Sequence, residues 1–179
     1  MNYAELDSPL YHGSDTSFTA IDLSKSATKK DFGSGFYTTN DSGQAEKFAL
    51  MKAKRTNSSQ GYVEVFHLQN YEDLNVKKFD KSDEEWFDFI LCNRGYDSLA
   101  TVSLESFFDI VIGPVANDAV GLVLNQFIAG VFGEPGTSEA KETAIRLLLT
   151  QKLHNQVFFG TEKAAERLRF SEVYDVCFK

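Results

Sequence analysis

The chain predicts an α+β fold in one domain spanning residues 1–179. Two patterns carry this reading. Segments of period two, such as "GYVEVFHL" at 61–68, are interspersed with segments of helical period, such as "NDSGQAEKFALMKAKR" at 40–55. They do not follow the regular strand–helix–strand spacing of a doubly wound parallel sheet. No stretch between them is long or polar enough to act as a linker, and 179 residues suffice for one core and hardly for two.

Taken in order, "SPLYHGS" is a short strand ended by Gly13, and residues 19–34 form a polar loop. "GFYTT" at 35–39 is a strand of aromatic and β-branched residues. The helix over 40–55 has Asn40, Asp41 or Ser42 as its cap, and Ala45, Phe48, Ala49 and Lys52 fall near one stripe. In "GYVEVFHL", Val63, Val65 and His67 take one face and Tyr62, Glu64 and Phe66 the other. "SDEEWFDFILCNRG" at 82–95 is a helix with a capping box from Ser82 to Glu85 and a stop at Gly95. Its Trp86 and Phe87 belong to the core. "FFDIVIGPV" at 107–115 is a buried strand near whose start Asp109 sits. Helices over 117–132 and 138–153 flank the "GEPGT" turn. "NQVFFGT" is a strand, "TEKAAERL" a short helix and "EVYDVCF" a last strand.

Composition narrows the function classes. Aromatic residues reach 13%, including 16 Phe, enough to supply both a core and flat walls for a ligand. The formal net charge of -8 does not favour the basic face that a nucleic-acid binder needs. Two local groups, Lys25, Lys29, Lys30 and Lys47, Lys52, Lys54, Arg55, read as a basic loop and a solvated helix face. Cys92 and Cys177 sit in apolar contexts and read as small core residues, which fits a reducing cytoplasm. The opening "MNYAELDSPL" lacks the basic start and apolar run of a signal peptide, and no apolar stretch reaches membrane-spanning length. The expected compartment is the cytoplasm, and a chain exported by a specialised secretion machine would look the same.

Three kinds of chemistry are disfavoured. His12, His67 and His154 stand far apart, with no metal-type spacing to Cys or carboxylates. There is no G-x-S-x-G elbow. The glycines of "GSGFY" enter a strand rather than open a helix, so they are neither a dinucleotide fingerprint nor a phosphate loop.

The informative stretches are "LYHGS" at 10–14 and "DFGSGFYTTND" at 31–41. His12 ends a strand, and Gly13 lets a ligand approach the backbone. The N–H and C=O at such a glycine can hold a primary carboxamide, one donor to one acceptor each way. Tyr37 offers a ring to stack upon, and Phe48, on the next helix, an opposite wall. Spacing alone favours core aromatics and a satisfied structural histidine.

With "GSGFYTTNDSGQAEKFA" following "LYHGS", the chain resembles the ADP-ribosyltransferase superfamily, on its poly(ADP-ribose) polymerase side. It also resembles a bacterial family of unknown function grouped with these transferases. The motifs are "LYHGS", "DFGSGFY", "DIVIGPVAND" and "NQVFFGT", in order over roughly residues 9 to 170. The resemblance implies a split β-sandwich of mostly antiparallel strands around a cleft, with NAD as substrate. It implies that His12 bonds a ribose hydroxyl, Gly13 the nicotinamide amide, and Ser14 a ribose or the amide. Tyr37 and Phe48 would sandwich the nicotinamide ring, and Gln156 stands at the third signature position, where the superfamily normally has Glu. Capping the following helix is sufficient to explain Asn117 and Asp118; the resemblance implies, as the weaker reading, a place at the NAD or acceptor edge.

The implied activity is mono-ADP-ribosyl transfer to a macromolecular acceptor, as a toxin, effector or defence component with a cognate antitoxin or immunity partner. Gln156 departs from the pattern: it accepts a hydrogen bond but carries no charge, and loss of such electrostatic help costs on the order of 100- to 1000-fold. Glu162, just past Gln156, and Glu64, on the "VEVFHL" strand, are the candidate carboxylates to substitute, although residues so placed are more often plain surface or capping residues. The alternatives are a non-catalytic NAD or ADP-ribose binder, an NAD glycohydrolase, and an RNA 2'-phosphotransferase-like enzyme, the last disfavoured by the charge.

Overall fold

Alternation builds the sheet. In β3 (Gln60–Leu68), Val63 and Val65 are buried on one face, and Glu64 and Phe66 on the other. The computed structural model describes residues 3–101, 108–116, 119–148 and 155–178. Its other strands are β1 (Leu10–Ser14), β2 (Phe36–Thr39), β4 (Val76–Lys78), β5 (Ile110–Pro114), β6 (Asn155–Phe159) and β7 (Leu168–Cys177). The helices are α1 (Ser42–Thr56), α2 (Glu84–Asn93), α3 (Val120–Ile128), α4 (Ser138–Leu148) and α5 (Glu162–Ala165). All seven strands join one open sheet in the order β4-β5-β6-β2-β1-β3-β7. Only β4 and β5 run parallel. The expected α+β class is therefore observed: among the described residues, a seven-stranded, mostly antiparallel open sheet with five α-helices.

The two faces bury different partners. Leu10, Phe36, Phe66, Ile110, Ile112, Val157 and Phe159 pack with the N-terminal segment, the 18–23 loop and α5. On the opposite face, Val63 packs with Ala45 and Ala49 of α1, while Val111 and Phe158 pack with α2, α3 and α4. Two helical layers thus stand side by side on one face of the sheet, with a gap between them over its centre.

Several expectations are corrected in detail. The cap of α2 is Asp83, whose carboxylate accepts from the Trp86 N–H at 3.2 Å, rather than the Ser82–Glu85 box. The carboxylate is the stronger acceptor and already faces the first turn. Asp41 is the cap of α1, accepting from the Gln44 N–H at 3.2 Å. β4 was not expected: it has three residues and shows no alternation. The third helix begins at Val120 and ends at Ile128, because Gly130, Gly133 and Gly136 all take positive φ in the turns that follow. β7 begins at Leu168, earlier than the expected 172. Cys92 is buried as expected, but Cys177 is exposed, since β7 is an edge strand and Cys177 shares its outward side with Asp175. His67 is exposed just past the register shift between Val65 and Phe66. Trp86 and Phe87 are fully buried, and the Trp86 indole N–H donates to Pro114 O at 3.1 Å. Asp109 precedes β5 and staples three segments: it accepts from the Asn75 N–H and the Thr161 hydroxyl, and its carbonyl from the Gly160 N–H.

Candidate functional site

The sheet is nearly broken at its centre. β1 pairs with β3 from Leu10–Phe66 to Ser14–Tyr62, and β2 with β6 from Phe36–Phe159 to Thr39–Gln156. Between β1 and β2 the only ladder pair is Tyr11–Thr39. Beyond it the strands part, and the His12 imidazole fills the seam, its Nδ1 2.6 Å from Tyr37 O. A carbonyl only accepts, so Nδ1 carries the proton and Nε2 a lone pair. Nε2 meets the Lys52 ammonium at 3.3 Å. Burial and the nearby Lys52 and Lys30 charges hold His12 down at about 3, so the ring is neutral near pH 7. Phe36 stacks on it at 4.6 Å, which fixes its plane.

Above this seam, in the gap between α1 and the other helices, lies a cavity of about 300 Å³. His12, Gly13, Tyr37, Phe48 and Gln156 all line it. Residues chosen from four separate elements therefore converge on one pocket.

Gly13 is required by α1 as much as by any ligand. A Cβ there would lie 2.1 Å from Ala45 O and 2.8 Å from Ala49 N. The alanine stripe of α1 (Ala45, Ala49, Ala53) is what lets the helix come so close. Gly13 O accepts from Lys52 Nζ at 2.7 Å. A strand residue directs its N–H and C=O to the same edge, so both backbone groups of Gly13 face the open seam.

Tyr37 is anchored by its hydroxyl, which donates to Gly33 O at 2.7 Å and accepts from the Phe32 N–H at 3.1 Å. Burial pushes this phenol up, so it stays protonated. One flank of the ring packs on Phe158, with centroids 4.9 Å apart, and Lys30 Nζ lies 5.0 Å from its centroid. The loop bearing Lys30 is tied down by Arg94, whose Nε and Nη2 both donate to Asp31 Oδ1 at 2.8 and 2.6 Å. Gly33 turns the chain back at φ 103°. Phe48 is 38% exposed, unusual for so large a ring, and stands in the lining from the α1 side.

Gln156 pairs with Thr39 on one side and Gly113 on the other, so it sits in the floor. It is only 9% exposed, and its Nε2 has no hydrogen-bond partner among the described residues. A buried, unpaired amide is costly, of order 1–3 kcal/mol, and marks a place where a ligand hydroxyl or carbonyl would be welcome. The carboxylates that might stand in for a Glu there are elsewhere. Glu162 is exposed at the start of α5, and Asp31, although in the lining, is held by Arg94. Glu64 is outside the lining, on the face of β3 that carries Phe66, paired in register with His12.

Glu64 is nonetheless unusual: it is fully buried, and neither carboxylate oxygen makes a well-formed hydrogen bond among the described residues. Burial pushes it from an ordinary 4.5 up to about 7, against the partial pull of the Glu64 and Phe18 backbone N–H groups and, less, of Lys52. The folded state therefore holds a proton that the unfolded chain has lost between those values, and stability from this group falls as pH rises from about 4.5 to about 7. His12 acts in the opposite sense, with stability lost as pH falls from 6.5 towards about 3. Glu64→Gln, which mimics the protonated carboxyl, should raise the urea midpoint relative to wild type above pH 7 and leave it little changed near pH 4.5. A difference that is the same at pH 5 and pH 8 would contradict this titration.

The remaining candidates separate. Ser14 lies outside the cavity lining, and its hydroxyl accepts from the Thr16 N–H at 3.2 Å. Asn117, Asp118 and His154 lie outside the described residues. Pocket residues that the sequence did not single out are Gln44, whose amide donates to the Thr39 hydroxyl at 3.3 Å, and Arg94. Lys30 and Lys52, read from sequence as members of a basic loop and a solvated helix face, both enter the cavity instead. The signal for Lys52 was its place four residues after Phe48, on the same side of α1. Among the described residues, no three of His, Cys, Asp or Glu gather as a metal ion would require. Among them, too, no helix is long and apolar enough to cross a membrane.

The family described as "Protein of unknown function (DUF3990)" matches residues 9–170. No curated protein and no solved structure matches the chain.

Proposed function

Because the chain belongs to the DUF3990 family, whose description assigns no activity, we propose its function from the pocket: NAD-dependent mono-ADP-ribosyl transfer to a macromolecular acceptor. The observation that carries this reading is the unpaired, buried amide of Gln156 in the same cavity as the neutral His12, the seam-facing backbone of Gly13 and the rings of Tyr37 and Phe48. The near-break between β1 and β2 supports a split sheet of the ADP-ribosyltransferase kind.

On this reading the bond between nicotinamide nitrogen and ribose C1' breaks with its electron pair going to the nitrogen, and an acceptor lone pair then bonds C1' while the acceptor's proton leaves to solvent. The chain's own residues bind and orient. His12 Nε2 accepts from a ribose hydroxyl, because its other nitrogen is committed to Tyr37 O. The Gly13 N–H and C=O take the carboxamide. Tyr37 and Phe48 flank the ring, and the Phe32 and Gly33 backbone keeps Tyr37 from turning. Gln156 bonds a second ribose hydroxyl without adding charge, so the positive charge that develops on the ribose is little stabilised. That favours a single transfer to a nucleophilic acceptor over polymer growth.

A second reading rests on the same uncharged residue. None of Glu64, Glu162 or Asp31 offers the cavity a free carboxylate, which fits a domain that binds NAD or ADP-ribose without turning it over. Calorimetry separates the pocket from its use. NAD should bind wild type, and His12→Ala should bind it about tenfold or more weakly, the effect of one buried hydrogen bond. Absence of NAD and ADP-ribose binding to wild type would refute both readings.

A further inference from the structure

The chain carries a net charge of -8, yet among the described residues its cavity is lined by Lys30, Lys52 and Arg94 against one acid, Asp31. Arg94 already uses Asp31. Among the described residues, neither Lys30 nor Lys52 has a carboxylate within ion-pair distance, although both are half-buried. Burial lowers both, and the Lys30 charge lowers Lys52 further, against a weaker upward pull from Asp31 on Lys30 and from Asp15 and Glu64 on Lys52. Two partly desolvated ammonium groups with no carboxylate in contact, and acids acting on them only from beyond ion-pair distance, call for an anion.

Their present partners say more. Lys52 Nζ holds His12 Nε2 at 3.3 Å and Gly13 O at 2.7 Å. These are the two groups that the proposed function needs for the ribose and the carboxamide. Lys30 lies over the Tyr37 ring, where a planar ligand would stack. A ligand therefore has to displace both ammonium groups. A neutral one leaves them buried without partners; one with a diphosphate gives them a better partner than they lose.

We infer that Lys30 and Lys52 form a diphosphate subsite, and that Lys52 is a latch which passes from His12 and Gly13 to the ligand's phosphate. This rests on the proposed function for the identity of the ligand, and on the lysines alone for its charge. The consequence is selectivity: the intact dinucleotide opens the site, whereas free nicotinamide, which has no charge to offer, binds poorly and does not hold the pocket as product.

The test is calorimetric titration of wild type, Lys30→Met, Lys52→Met and the exposed control Lys47→Met with pyrophosphate, ADP-ribose, NAD and nicotinamide. Methionine keeps the apolar stem, and melting curves without ligand check the fold. Lys52→Met should bind pyrophosphate and ADP-ribose about tenfold or more weakly, and nicotinamide about tenfold more tightly, because a charged hydrogen bond is lost in one case and a competitor in the other. Lys30→Met should weaken pyrophosphate similarly, and Lys47→Met should change nothing. In wild type, added salt should weaken pyrophosphate and leave nicotinamide unaffected. Equal pyrophosphate and ADP-ribose affinity in wild type and both pocket variants would overturn the inference, as would salt-independent pyrophosphate binding. If NAD binds and turns over regardless of the lysines, the subsite falls and the proposed function stands. If pyrophosphate depends on them and NAD does not bind, the subsite stands and the proposed function falls.

Discussion

Gln156→Glu should raise the rate of nicotinamide release from NAD about 100- to 1000-fold, the usual value of one well-placed group at a developing charge. Gln and Glu have nearly the same shape, so the register of β6 with β2 and β5 is kept. The substitution replaces a buried amide, whose Nε2 has no partner among the described residues, with a group that accepts at both oxygens. The new carboxylate adds the negative charge that the ribose lacks as the glycosidic bond opens. Its position at 9% exposure raises its own pKa, so the gain should grow with pH as the carboxyl ionises. The measurement is single-turnover nicotinamide release for both proteins across pH. A rate unchanged at every pH would mean that Gln156 does not face the reacting ribose.

Asp88→Ala should cost about 3–5 kcal/mol of stability, the penalty for stranding one member of a buried ion pair. Asp88 in α2 is 1% exposed, and its partner Lys141 in α4 is 0% exposed, at 2.6 Å. Asp88 also accepts from the Thr101 N–H at 2.9 Å and from the Thr101 hydroxyl. Removing the carboxylate leaves Lys141 in the core with the half-exposed Glu84 at 3.1 Å and the neutral Thr101 hydroxyl at 3.5 Å. For a chain of this length the melting temperature should fall on the order of 10 °C. The double variant Asp88→Ala, Lys141→Met should recover much of the loss, since no buried charge remains. A single variant that melts like wild type would show that the pair is not buried in solution. The helix matters to the pocket because Arg94, which caps the C-terminal end of α2, holds Asp31 and with it the loop that carries Lys30.

The parts of the molecule legible in sequence were those with a period or a motif. Val63 and Val65 against Glu64 and Phe66 gave the faces of β3 directly, and the Ala45, Phe48, Ala49, Lys52 stripe gave the pocket side of α1. "LYHGS" and "GSGFY" pointed to His12, Gly13 and Tyr37, and all three line one cavity. Other features have no such signature. β4 is a three-residue parallel edge strand, too short to alternate. Asp83 and Ser82 are both good caps, and only backbone direction decides between them. Asp88 and Lys141 carry no sequence signature of burial, because each is buried only by virtue of the other, across two helices distant in the chain. The seam at His12 is a break in a ladder between strands that are distant in the chain, and no local pattern records where pairing stops. Nor does spacing show that Lys30 and Lys52, from two separate basic groups, meet in one pocket.

The most direct measurement is NAD turnover by the purified chain, wild type beside His12→Ala, following nicotinamide release and transfer of labelled ADP-ribose to a cell extract. The account predicts slow release by wild type, label carried onto a macromolecule, and loss of both in His12→Ala. No release and no label from wild type with any extract would contradict the transferase, and release without label would make water the acceptor.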